Sequence, residues 1–302
     1  MATREGGAHA ARPGMAALWM LVSGLCFTAS GVFAKLAAEQ FNAFELMLYR
    51  SLFIVVAIAL FALARGQRLA TGQWRAHFER SAAGVASVLL FFYCLAHASL
   101  ATAVTLNYTS PLFLALITGL FLRERIARLT LLAIVVGFVG VLALLRPGVG
   151  EDPLLPGLAG LAGGALAALA YLGIRRLGAI GEPEWRTVFY FALLGLLIGA
   201  AALPFTGASA VRTADLPVLL GIGVFALGAQ LSMTLAYSRG PTLVAGTLSY
   251  SGVLFAGLFD VLLWQIGQPL SGWLGMALIV AAGVMTVLAR RPAPARSTLG
   301  PD

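Results

Sequence analysis

Charged side chains are scarce in this chain. Asp, Glu, Lys and Arg make up only 11% of its 302 residues, whereas 60% are hydrophobic and the mean hydropathy is +0.92. A water-soluble domain carries charge on about a quarter of its residues. The composition therefore excludes an ordinary soluble globule and predicts an integral membrane protein. The net charge of +8 has to be interpreted by its position along the chain, not as a sign of nucleic acid binding.

Cysteine and histidine are also rare. Cys26 and Cys94 both lie in apolar runs, where a thiol behaves as a small hydrophobic group, so we expect neither a disulfide nor a metal site. We interpret His9 and His77 as loop residues, and only His97 as part of a membrane segment. A membrane hydrolase needs a base beside its nucleophile. The sequence therefore predicts a protein that is not an enzyme and has no cofactor.

Long apolar runs are what the chain has in abundance. Ten of them have a length of roughly 17 to 25 residues, which an α-helix needs to cross about 30 Å of hydrocarbon. We therefore predict an all-α integral membrane protein with ten transmembrane helices. They are expected at residues 14–37, 43–64, 80–98, 101–122, 128–145, 154–177, 184–204, 214–237, 242–264 and 270–289.

The basic residues indicate how these helices are oriented. If the N-terminus is cytoplasmic, 16 Lys and Arg residues fall on the cytoplasmic side, 3 fall on the other side, and Arg50 lies within a helix. Positive charge favours the cytoplasmic side of a membrane. We therefore predict that both termini are cytoplasmic, with an N-terminal tail at 1–13 and a disordered tail at 291–302. The basic charge is thus a signal of topology in the lipid bilayer.

The second half of the chain repeats the first at an offset of 140 positions. The alignment needs no gap over most of either half, and it places Gly24 on Gly164 and Lys35 on Arg175. We therefore predict two repeats, at residues 14–147 and 154–290. Because each repeat has five helices, an odd number, the second is expected to be inverted in the membrane. Two inverted halves suit alternating access, in which a central site opens to each side in turn.

Short motifs accompany this architecture. The segment FELMLYRSLF contains Arg50 in the second helix, and the fourth helix runs from Pro111 to a terminal Glu124 before a basic loop. With the ten spans, these features resemble the drug/metabolite transporter superfamily, EamA type, over residues 14–290. Among its branches, the chain is most similar to the bacterial inner-membrane amino-acid exporters of the YddG kind.

The resemblance implies a central cavity lined mainly by the first, third, fourth, sixth, eighth and ninth helices, in a bacterial inner (plasma) membrane. It implies export of amino acids, including aromatic or large neutral ones, and of related metabolites. The second half departs from the family pattern, because Trp264 replaces the repeat of Glu124 and Ser251 the repeat of Pro111. A multidrug or organic-cation exporter is the main alternative, and a non-transporting scaffold or lipid-handling protein is the second.

Two aromatic pairs are candidates for the ends of the cavity. Tyr93 and His97 are four residues apart and share a face of the third helix near its outer end. Their repeats, Met233 and Tyr237, share a face of the eighth helix near its inner end. We predict that the two pairs cap the cavity from opposite sides. The alternative for the Tyr and His rings is a membrane interface, where such rings collect.

Uncharged polar residues are the other candidates for substrate binding. Asn107, Tyr108 and Pro111 lie in the fourth helix, and Pro111 lacks a backbone donor, so it frees a carbonyl or bends the helix. Gln230 lies at mid-depth in the eighth helix, where an amide needs a polar partner. The alternative for the amides is a helix-to-helix hydrogen bond. Two tyrosines that could stack on an aromatic substrate complete the set, Tyr171 and Tyr250.

Two charges in the predicted spans, Arg50 and Asp260, are the most costly ones in the chain. Arg50 is roughly 10 Å and Asp260 roughly 6 Å below the outer surface, at 1.5 Å per helical residue. Either residue could anchor one end of a zwitterionic substrate or latch the outer gate. Arg50 could instead reach outward to Glu45 or to lipid phosphate.

Acidic residues are missing from the middle of the spans. A proton- or sodium-coupled carrier usually holds a carboxylate at mid-depth. Apart from Asp260, the Asp and Glu residues lie at helix ends or in loops. We therefore predict facilitated transport or exchange of a small molecule rather than coupling to an ion.

Overall fold

The computed structural model describes residues 13–97, 100–145, 154–265 and 269–288. These residues form α-helices joined by short turns. The helices are α1 (Pro13–Ala37), α2 (Ala43–Ala64), α3 (Trp74–His97), α4 (Leu100–Asn107), α5 (Ser110–Leu120), α6 (Arg128–Leu145), α7 (Leu154–Ala179), α8 (Glu184–Thr206), α9 (Leu216–Arg239), α10 (Thr242–Leu248), α11 (Ser251–Trp264) and α12 (Leu270–Leu288). A single 3₁₀ turn, Thr213–Asp215, precedes α9.

The helices have the length and composition of membrane spans. Within the described residues, eight helical stretches are long and apolar enough to cross a bilayer, and α12 contributes a shorter apolar stretch at Leu270–Thr286. Two of the eight combine consecutive helices, since Ala103–Leu120 covers most of α4 and α5, and Thr242–Leu263 covers α10 and most of α11. The protein is therefore a multi-pass helical membrane protein. The count of ten spans stays a prediction.

The third helix begins earlier than its apolar run indicates. It starts at Trp74 instead of residue 80, so His77 and Arg80 are helical residues, and the expectation that His77 lies in a loop is wrong. Both side chains are buried, with 1% and 3% exposure. A search for apolar runs misses such a helix start because its first two turns are polar, and neighbouring helices bury them.

Two spans are broken near their middle, at positions that the repeat relates. The first break lies at Tyr108 and Thr109, between α4 and α5, and the second at Ser249 and Tyr250, between α10 and α11. At the first break the hydroxyl of Thr109 donates to the carbonyl of Leu106 (2.5 Å), and at the second that of Ser249 donates to Gly246 (2.7 Å). The two bonds are 140 positions apart. Each hydroxyl satisfies a carbonyl where the helix ladder is interrupted.

The helix packing follows a regular pattern. Helix α1 packs along α9 and α3 along α7, while α2 pairs with α8 and α6 with α12. Two glycines allow helices to approach the breaks closely: a Cβ atom on Gly24 would lie 2.7 Å from Ser251 Oγ, and one on Gly164 would lie 2.8 Å from the Leu106 carbonyl oxygen. Helices α1 and α7 thus pack closely against the two breaks.

Candidate functional site

Four tyrosines come together where the broken helices meet α7 and α9. The Tyr171 and Tyr237 rings are stacked, with centroids 4.5 Å apart and planes 10° apart, and the Tyr108 and Tyr250 centroids are 6.1 Å apart. Tyr237 and Tyr250 are fully buried, and their hydroxyls have no hydrogen-bond partner among the described residues. A buried hydroxyl without a partner is costly, so the cluster is suited to a polar ligand or to water.

A hydrophobic cluster packs around Tyr237 in one half of the bundle. Met233 and Tyr237 are buried in a hydrophobic cluster with Met20, Leu114 and Leu248. These residues lie in α1, α5, α9 and α10, in the half of the bundle where α1 and α10 begin and α5 and α9 end.

The other predicted pair, Tyr93 and His97, is exposed at the surface of the bundle. Tyr93 and His97 are exposed, with ring centroids 4.5 Å apart, and His97 Nδ1 is 2.8 Å from the Tyr93 carbonyl oxygen. The structure thus brings each pair together but gives the pairs different surroundings. One pair is part of a hydrophobic cluster, and the other is accessible.

The amides and the proline lie near the breaks or deep in α9. Asn107 is the last residue of α4 and is partly buried. Gln230 is buried with 4% exposure, and its Oε1 atom has no partner among the described residues. Pro111 lies in the first turn of α5, where its missing N–H removes no helical bond, so it starts a helix instead of bending one.

The charged candidates are Arg50 and Asp260, and the structure describes the side chain of Arg50 but not that of Asp260. The Arg50 guanidinium carbon lies 6.0 Å from the centroid of the Phe27 ring. Glu45 accepts hydrogen bonds from the backbone of Asn42 (2.8 Å) and of Ser209 (2.5 Å) and forms no ion pair with Arg50 in the part of the chain that the structure describes. Asp260 belongs to α11, but its side chain lies outside the described residues, and its role stays a prediction.

Sequence reasoning missed Arg80. Its guanidinium carbon lies 4.2 Å from the centroid of the Phe191 ring, and its Nε and one terminal nitrogen lack hydrogen-bond partners among the described residues. The guanidinium is also close enough to Arg50 and Tyr171 to interact with both electrostatically. Arg80 counts among the basic residues of the cytoplasmic side in the sequence, and so the sequence does not predict that this side chain is buried. The one feature of the sequence that indicated a close contact here was Gly84, a small residue one turn after Arg80 on the same face of α3.

A second polar cluster joins two loops at the end where α3 begins. Glu182 accepts hydrogen bonds from Thr71 Oγ1 (2.6 Å) and Arg186 (2.9 Å), and lies 3.2 Å from His77 Nε2. Burial raises the pKa of Glu182, but the hydrogen bonds from Thr71, Arg186 and His77 outweigh it and hold the pKa below its usual range. The cluster ties the α2–α3 loop to the α7–α8 turn.

The described helices define a polytopic helical membrane protein, and the buried tyrosines between its broken spans are the candidate site. Residues 14–146 match the EamA-like transporter family. A crystal structure of a protein with 19% identity has a TM-score of 0.80 and covers 92% of this chain and 98% of that one, which shows a shared fold.

Relatives from several bacteria are similar to this chain over most of its length. A Helicobacter pylori protein named as an uncharacterized transporter is 28% identical over 277 residues, which cover 89% of this chain and 93% of the relative. The pseudopaline exporter of Pseudomonas aeruginosa is 28% identical and matches 90% of this chain and 93% of its own. The riboflavin transporter of Vibrio cholerae is also 28% identical, over 89% of this chain and 91% of its own.

Proposed function

We propose that this protein exports amino acids, including aromatic or large neutral ones, and related metabolites by alternating access. The proposal includes ten membrane spans in two inverted repeats at residues 14–147 and 154–290, with both termini in the cytoplasm of a bacterial cell. The observation that carries it is the pair of broken spans, related by the repeat, that meet around buried tyrosines. Broken helices at a repeat interface are typical of transporter binding sites.

The packing of the helices supports the inverted repeat. The repeat makes α7 the counterpart of α1, α9 of α3, α8 of α2 and α12 of α6. Exchanging the halves turns the α1–α9 contact into the α7–α3 contact, and leaves the α2–α8 and α6–α12 pairs unchanged. Gly24 and Gly164, which are 140 positions apart, each face a break. These contacts are what a two-fold axis between the halves requires.

The difference between the two ends supports alternating access. With cytoplasmic termini, the hydrophobic cluster around Met233 and Tyr237 lies on the cytoplasmic side, and the exposed pair of Tyr93 and His97 lies on the outer side. The described conformation then has a closed inner gate. Exchanging the conformations of the two halves would close the outer end and open the inner end.

The chemistry of the centre supports an amino acid as substrate. Four tyrosines offer stacking surfaces and hydroxyls, and the Gln230 amide and the Arg50 guanidinium add polar groups. A large neutral amino acid presents both an apolar side chain and a zwitterionic end. The relatives' names, which mention pseudopaline export and riboflavin transport, support a small metabolite as the cargo.

Transport by the purified protein in liposomes tests this proposal. We expect uptake of labelled large neutral amino acids, with acceleration when the same amino acid is present inside the liposomes, and no requirement for an imposed proton gradient. Transport that depended strictly on a proton gradient would contradict facilitated exchange. Uptake of quaternary amines in place of amino acids would favour the organic-cation exporter, for which the tyrosine cluster is the supporting feature, since aromatic rings bind such cations.

A further inference from the structure

Two arginines lie inside the bundle without a carboxylate partner. Arg50 is seven residues from the start of α2, and Arg80 is six residues from the start of α3. At 1.5 Å per residue, each arginine lies about 10 Å from the end of the bundle at which its own helix begins. Neither forms an ion pair with any of the described residues, whereas the exposed Arg175 and Arg239 pair with Glu124 and Glu184. Charges inside a membrane protein are rare and face partners or binding sites.

The two guanidinium groups face the same region. The Arg80 guanidinium packs on the Phe191 ring, and Phe191 lines a small cavity together with Arg50, so both groups lie beside the same ring although they come from different helices. Like charges repel, and burial away from water makes the repulsion stronger. Two aromatic rings, Phe27 near Arg50 and Phe191 near Arg80, offset part of this cost by cation–π contact. Rings supply no hydrogen-bond acceptor in the plane of a guanidinium.

A small cavity lies beside Arg50 and the Phe191 ring. It lies between α2, α3 and α8, has a volume of about 20 Å³, and is lined by Arg50, Ser51, Val85, Val88 and Phe191, among other residues. This volume holds roughly one water molecule. A larger group can reach both arginines only if α2, α3 and α8 separate slightly, and the exchange of conformations proposed above supplies such a movement.

We propose that Arg50 and Arg80 together bind the carboxylate of the transported molecule. This inference rests on the proposed function and deepens it, since it names the group that the site recognises. One planar carboxylate has two oxygens and accepts hydrogen bonds from two guanidinium groups at once, and it offsets one of the two positive charges that the described residues leave unpaired. The apolar part of the ligand then lies toward Tyr171 and the other tyrosines. The site therefore selects organic anions and zwitterions over simple cations.

Three small molecules separate the contributions of the two ends of an amino acid. L-phenylalanine has both a carboxylate and an ammonium group, 3-phenylpropionate has only the carboxylate, and 2-phenylethylamine has only the ammonium group. Binding is measured with the purified full-length protein in detergent, as the ligand-induced shift of the thermal unfolding midpoint and by calorimetry. We expect the first two compounds to bind and the third not to bind.

Variants of the two arginines assign the binding to them. We expect Arg50→Gln and Arg80→Gln each to weaken the binding of 3-phenylpropionate about tenfold or more, and Arg80→Lys to retain part of it because the charge remains. Arg75→Gln is the matched control, since Arg75 lies on the same helix but is 82% exposed and pairs with Glu79. The control should bind as the wild type does. If Arg80→Gln does not fold, Arg50→Gln and Arg80→Lys carry the test.

The outcomes distinguish this inference from the proposed function. If 3-phenylpropionate binds through the arginines but no amino acid is transported, the carboxylate site stands and the substrate is another organic anion. If amino acids are transported but both Gln variants bind 3-phenylpropionate as the wild type does, the site is wrong and the function stands. If the wild type binds neither carboxylate, or binds 2-phenylethylamine instead, the inference is overturned.

Discussion

Single residues show where the centre of the bundle departs from a simple apolar core. Tyr237 is fully buried and stacked on Tyr171, but its hydroxyl has no partner among the described residues. A polar atom in such a position destabilises the fold unless something binds it. Residues of this kind are expected at a binding site and are hard to explain as packing.

Removing that hydroxyl should therefore cost little stability. We expect Tyr237→Phe to leave the free energy of unfolding unchanged or to raise it by up to about 1 kcal/mol, because the ring and its stacking remain. Tyr190→Phe is the control, since the Tyr190 hydroxyl donates to the Leu69 carbonyl (3.2 Å), and its loss should cost about 1 kcal/mol. Thermal unfolding in detergent measures both. A larger loss for Tyr237→Phe would mean that its hydroxyl is bonded in the folded protein.

Glu182 gives a prediction on pH. Its pKa is lowered in the folded protein, so its contribution to stability is fully present above the pKa of the unfolded chain, about 4.3, and is lost as the pH falls through the lower folded value. We expect Glu182→Gln to destabilise the protein by about 1 to 3 kcal/mol at pH 7, because Gln replaces one of the two acceptor oxygens with an NH₂ donor and removes the negative charge beside His77 and Arg186. The difference from wild type should shrink below about pH 4.

A neighbouring carboxylate is the control for that prediction. Glu79 pairs with Arg75 and Arg176 at the surface and is 48% exposed, so Glu79→Gln should change stability by less than about 1 kcal/mol at any pH. Equal effects of the two substitutions would show that the loop cluster around Glu182 is no stronger than a surface pair.

At the scale of helices, the two glycines that face the breaks should be sensitive to added volume. A Cβ on Gly164 would meet Thr109 Oγ1 and the Leu106 carbonyl, and one on Gly24 would meet Ser251 Oγ at 2.7 Å. We expect Gly164→Ala and Gly24→Ala each to destabilise the protein by about 1 to 3 kcal/mol and to slow transport, since each pushes a helix away from a break.

The same two helices supply matched controls. Gly157 in α7 and Gly31 in α1 have no atom within 4 Å of an added Cβ. Ala at these positions should be neutral or stabilising by up to about 1 kcal/mol, because Ala favours a helix over Gly. If all four variants behaved alike, close approach at the breaks would not matter for stability or for transport.

The helices also show what the sequence could and could not predict. The bounds of α2 (Ala43–Ala64) and α6 (Arg128–Leu145) coincide with the predicted runs, because polar or charged residues flank an uninterrupted apolar stretch. The break at Ser249 and Tyr250 contains no proline and gives no local signal. Arg80 was missed for a related reason, since its burial depends on Gly173 of α7 and Phe191 of α8, which are far away in sequence.

For the whole molecule, the prediction of ten spans with cytoplasmic termini can be checked by labelling. In a background in which Cys26 and Cys94 are replaced by Ala, a membrane-impermeant maleimide added outside intact cells should label a His97→Cys variant. An Arg176→Cys variant should react only after the membrane is opened, because Arg176 is exposed at the opposite end of the bundle. Labelling of both variants from the same side would overturn the proposed topology.

The two halves share their breaks and their glycine contacts, but they do not share their charges. The positions that the repeat relates to Arg50 and Arg80 hold Tyr190 and Leu220, and Tyr190 packs against His77 instead of facing the centre. A binding site built from the arginines of one half only does not present the same surroundings to the two sides of the membrane. We therefore expect the half-saturating substrate concentration to differ between right-side-out and inside-out vesicles, although the repeat relates the two breaks to each other.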